Sequence, residues 1–87
     1  MDKAMIYTNN FYELEEAAII YNQLKADSFE VAFATDNIEL VMFLSQQKML
    51  VVKVGTYFPD FVISNVKLDG YEGKSLSFKK ALGVMVK

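Results

Sequence analysis

The sequence predicts one small α/β domain built on a mostly parallel sheet. Two observations carry this expectation. Short apolar runs alternate with helix-period segments through the first half of the chain, an order that suits parallel strands joined by right-handed crossovers. Hydrophobic residues make up 53% of the 87 positions, enough for a folded core, while the length suits a single domain over 1–87. The expected arrangement is three layers with the sheet in the middle.

The first run, 4–8, is apolar and stops at Asn9-Asn10, which reads as a buried strand and a turn. A helix follows, because Leu14, Ala17, Ala18, Tyr21 and Leu24 share one face at the 3.6-residue period. Asn10 is placed to cap it, with Glu13 as a capping-box acid. Glu15 and Glu16 near its start and Lys25 at its end complement the helix dipole.

The run 29–34 reads as a second strand, ended by Thr35-Asp36-Asn37. Asp36 with Glu39 repeats the cap pattern ahead of an apolar helix through Ile38, Val41, Met42 and Leu44. The valine-rich segment 49–54 favours a strand over more helix. A further strand is expected over 61–66. Asp69-Gly70 and Gly73 mark turns, and 75–82 reads as a short helix with Gly83 as its C-cap and 83–86 as a terminal strand.

All nine cations are lysine, and the net charge is −2. Without arginine there is no bidentate fork for phosphate or guanine, so no nucleic-acid partner is expected. The absence of histidine and cysteine removes imidazole base catalysis, thiolate chemistry and the usual zinc ligands. No cofactor and no metal are expected, and the remaining acids show no paired spacing beyond helix caps, so the chain does not read as an enzyme. No apolar run reaches the roughly 20 residues of a membrane span, and the N-terminus lacks a signal-peptide core. The expected location is the cytoplasm.

Pro59-Asp60-Phe61-Val62-Ile63-Ser64-Asn65-Val66-Lys67-Leu68-Asp69-Gly70-Tyr71-Glu72-Gly73 is the most specific stretch. It resembles the third strand and following loop of response-regulator receiver domains, in which a strand-ending aspartate accepts a phosphoryl group. The resemblance implies a flavodoxin-like or receiver-like fold. It places Asn65 on the phosphoacceptor position, and Asn9 and Asn10 on the two acids that hold magnesium in the family. An amide has no anionic oxygen for phosphoryl attack, and three amides would leave the pocket without the charge that a dication needs. The family's hydroxyl residue after strand four and lysine after strand five have no counterpart, so the chain reads as truncated.

The expected function is therefore a degenerate, phosphorylation-independent receiver-like regulatory domain acting in signal transduction through protein–protein contact. A homodimer is the expected assembly, with Leu50, Val51, Val52 and Val54 on an exposed sheet edge as its interface. The alternative is a ferredoxin-like α+β adaptor or ligand sensor. Sheet order separates the two, since the receiver arrangement puts strand one between two parallel neighbours.

Overall fold

Ala4, Met5, Ile6 and Tyr7 are all buried, so neither face of the first strand is left for solvent. In the computed structural model, which describes residues 2–85, this strand, β1 (Lys3–Tyr7), is the centre of a five-stranded sheet. The other strands are β2 (Glu30–Ala34), β3 (Val51–Val52), β4 (Phe61–Ile63) and β5 (Ser75–Leu76), in the spatial order β3-β2-β1-β4-β5. Every pairing is parallel; Ile6 lies opposite Phe33 on one side and Ile63 on the other. A parallel sheet with β1 inside excludes the ferredoxin-like arrangement. The α/β expectation holds.

A single 3₁₀ turn at Phe11–Glu13 leads into α1 (Leu14–Ala26), and α2 (Ile38–Gln46) and α3 (Phe78–Met85) complete the helices. Alternation along the strands separates two cores. Ala4, Ile6, Val31, Phe33 and Ile63 pack with Ala17, Ile20, Leu24, Leu44, Phe78 and Ala81 from the three helices. Met5, Tyr7, Ala34 and Val62 face the other way and meet Tyr71, Leu68, Tyr57 and Val54 from loops. The three layers are thus helices, sheet and irregular chain.

Chain direction explains the division. Steps from β1 to β2 to β3 move one way across the sheet, and right-handed crossovers carry α1 and α2 over one face. The connection 53–60 returns past β1 to β4, and 64–74 continues to β5, so the same handedness sends both over the opposite face. The order therefore reverses between β1 and β4, which is where an open α/β sheet opens a crevice beyond its strand ends.

Pro59-Asp60 has a structural task at the opposite, amino edge. Lys3 N–H donates to Asp60 Oδ2 at 2.8 Å and Asp60 N–H donates to Lys3 O at 2.8 Å, which fixes where β4 starts against β1.

The structure corrects several boundaries. Asn37, not Asp36, caps α2, its side chain accepting from Glu39 N–H at 3.0 Å. The segment 75–82 is not one helix: Ser75–Leu76 pairs with β4, and α3 starts only at Phe78. The proposed strand over 83–86 is instead the end of α3 as far as Met85, while Val86 lies outside the described residues. Packing of Phe78 and Ala81 against α1 overrides the weak helix propensity of Gly83 and Val84.

Candidate functional site

The crevice between the ends of β1 and β4 has a volume of about 180 Å³ and is lined in part by Thr8, Asn9, Asn10, Glu13 and Asn65. Parallel pairing of β1 with β4 brings Asn9, Asn10 and Asn65 to the same carboxyl edge. The three positions implied by the receiver resemblance thus gather at one place.

Each amide is already engaged. Asn10 Oδ1 accepts from Tyr12 N–H at 2.9 Å, so it caps the turn that opens α1. Asn9 joins β1 to β2: its Oδ1 accepts from Thr35 Oγ1 at 2.8 Å and from Asp36 N–H at 2.6 Å. Its Nδ2 donates to Tyr7 Oη at 2.7 Å, and that hydroxyl donates to Asp36 Oδ2 at 2.7 Å. Burial, and then the bond to Asp36, raise the Tyr7 phenol above its ordinary pKa.

Asn65 bonds residues far from it in the sequence on both sides. Its Oδ1 accepts from Phe78 N–H at 2.9 Å, supplying a cap to α3 from thirteen residues earlier. Its Nδ2 donates to Glu13 Oε2 at 2.5 Å. Asn10, Asn37 and Asn65 thus each satisfy a free amide in the first turn of one helix segment, and all three caps lie at the carboxyl edge.

Glu13 is the carboxylate that sequence reasoning misplaced. A capping-box acid would return to Asn10 N–H, but that group donates to Thr8 Oγ1 at 3.0 Å. Glu13 instead receives Thr8 Oγ1 on Oε1 and Asn65 Nδ2 on Oε2. Its spacing from Asn10 fits either role, and only the placement of β4 beside β1 decides between them.

At the crevice, Thr8, Glu13 and Asn65 form one hydrogen-bonded set and Tyr7, Asn9 and Asp36 another. Phosphoryl transfer to a strand-ending carboxylate needs an anionic oxygen at that position, and magnesium takes oxygen ligands, usually one or two carboxylates with water. Asn65 has neither a nucleophile nor a free end. Among the described residues, no buried polar side-chain atom lacks a partner, and no group of three His, Cys, Asp or Glu side chains comes together. A more open depression of about 480 Å³, lined in part by Asn65, Lys67, Glu72 and Ser77, lies beyond β4 and β5.

The expected interface segment divides between two environments. Val51 packs against the helical core, whereas Val52 and Val54 pack against the loop core, all half-buried; Leu50 is exposed. The valines thus contribute mainly to their own fold, and the free edge of β3 is two residues long. Short edges of this kind limit strand addition.

No described helix is long and apolar enough to cross a membrane. Compared with protein-family models, with curated proteins and with solved structures, the chain matches none.

Proposed function

We propose that this domain is a receiver-like regulatory module that operates without phosphorylation and acts by contact with protein, self-association included. One observation carries the reading: Asn65, at the position implied for the phosphoacceptor, bonds Phe78 N–H with one end of its amide and Glu13 with the other. In a phosphorylated receiver, a new charge at this strand end would rearrange its neighbours. Here, hydrogen bonds from Asn65 tie Glu13, just ahead of α1, and Phe78, at the start of α3, to the strand end. The module is therefore a fixed scaffold that presents its surface in one state. At the crevice the one carboxylate, Glu13, is engaged by Thr8 and Asn65, which favours a binding role over a catalytic one.

The test is an amide-resolved NMR titration of the whole chain with magnesium and beryllofluoride, alongside mass measurement after acetyl phosphate treatment. The spectrum should be unchanged at Thr8, Asn9, Asn10 and Asn65, and no phospho-adduct should form. Saturable shifts at those four residues, or a stable adduct, would overturn the proposal.

A further inference from the structure

Helix α2 is apolar on nearly every side. Leu40 and Leu44 are buried, yet Ile38, Met42 and Phe43 are 69%, 59% and 40% exposed. A helix hydrophobic all round is normally covered. Phe11 extends this apolar surface, packing edge-on against Phe43 with ring centroids 6.1 Å apart, and on α1 Ile19 is 46% exposed. Between α1 and α2 runs a groove of about 290 Å³ lined by Leu14, Ala18, Tyr21, Phe43 and Met49 among others. Elsewhere the exposed large hydrophobics, Tyr12, Leu50, Phe58, Val66 and Val84, are spread along the chain.

The charges at this surface identify an occupant. Both helices leave the carboxyl edge of a parallel sheet, so they run side by side in the same direction. Glu15 lies one turn before the groove residue Ala18, and Glu39 one turn before Phe43, at the amino ends of the two helices. Lys25 lies one turn after Tyr21, and Lys48 stands between the groove residues Gln47 and Met49, at the far end. All four are exposed. The surface is thus apolar in the middle, anionic at one end and cationic at the other. Asp27, the acid nearest the cationic end, is turned to another flank, where it accepts from Gln23 Nε2 at 3.4 Å.

A surface with that polarity is complementary to itself when reversed. A two-fold axis crossing both helices at mid-length sets Glu15 against Lys25 of a second copy, and Glu39 against Lys48 of that copy. The same operation opposes the helix dipoles and brings Ile19, Met42 and Phe43 of the two copies together. Helix against helix leaves no backbone group unpaired.

We propose that α1 and α2 form the self-association surface of this domain, joining the same two helices of a second copy in antiparallel, two-fold fashion. This rests on the reading of the domain as a protein-contact module and assigns the contact to the helical face.

Sedimentation equilibrium on the whole chain tests it, with circular dichroism confirming the fold of each variant. The wild type should dimerise in the micromolar to millimolar range and weaken with added salt. Met42→Lys should abolish the dimer. Glu15→Lys and Lys25→Glu should each raise its Kd by about tenfold, since two-fold symmetry counts each lost pair twice. The double variant should recover wild-type affinity, because exchange restores both pairs. A monomeric wild type would overturn the inference, as would a dimer indifferent to these changes or a double variant weaker than either single. None of these outcomes touches the phosphorylation-independent reading, which the magnesium–beryllofluoride titration decides separately.

Discussion

The two faces of the sheet are filled by different means. On the helical face the buried residues are aliphatic or phenylalanine, from Ile6 and Ile20 to Phe33 and Phe78. On the loop face the same strands meet tyrosines. Each of those phenols does two jobs. Tyr71 fills the core, while its hydroxyl donates to Tyr57 O at 3.1 Å and accepts from Gly55 N–H at 3.0 Å. Tyr57 packs against the same cluster and donates to Glu30 Oε2 at 2.6 Å. A helix satisfies its own backbone and can offer purely apolar side chains, whereas a loop crossing a core has free amides and carbonyls to satisfy. Tyrosine supplies apolar area and a hydrogen-bonding tip together. Gly55, with φ at +93°, makes the turn beside Tyr71 in a conformation that L side chains rarely adopt.

The comparison predicts the largest loss on the helical face. Phe78 is fully buried between α1 and the sheet, so Phe78→Ala should cost about 3–5 kcal/mol, measured by urea denaturation. The cavity would lie between α1 and α3, and the whole domain should lose stability together. A loss below about 1 kcal/mol would mean that α3 contributes little to the core.

On the loop face, Tyr71→Phe keeps the ring and removes only the hydroxyl. It leaves Gly55 N–H and Tyr57 O without that partner, at a cost of about 1–3 kcal/mol. Its distinguishing mark is local. Hydrogen exchange should quicken first at Gly55 and the amides around it, while those of α1 follow the global change. Uniform acceleration across both faces would show that the two layers open as one unit.

Legibility in the sequence follows the same division. The helix α1 announced itself because Ala17 and Leu24 repeat at helical spacing, and Asn10 reads as a cap because capping is local chemistry. The bonds of Asn65 to Phe78 and Glu13 span 13 and 52 residues, and no local pattern encodes them. The irregular third layer was hidden for a related reason. Tyr57 and Tyr71 sit in turn-rich segments without strand or helix periodicity, and their burial follows only from the return path that the strand order imposes. Ser75–Leu76 is too short to show alternation; its pairing with β4 fixes it as a strand.

The smallest expected effect is a pH dependence that separates the faces chemically. Burial, and then the hydrogen bond and negative charge of Glu30, raise the Tyr57 phenol well above its ordinary pKa. Tyr7, also on the loop face, shifts the same way through burial and Asp36. A raised value in the fold means that the native state keeps its proton where the unfolded chain has begun to lose it. The contribution is therefore complete below about pH 10, the ordinary phenol value, and declines as pH rises through the shifted one. Stability measured by denaturant titration should fall on the alkaline side in the wild type. Tyr57→Phe should flatten that decline, and adding Tyr7→Phe should flatten it further, because neither phenylalanine has a proton to lose. An alkaline slope unchanged in the double variant would place the titrating groups elsewhere and remove the phenols of the loop face from the account.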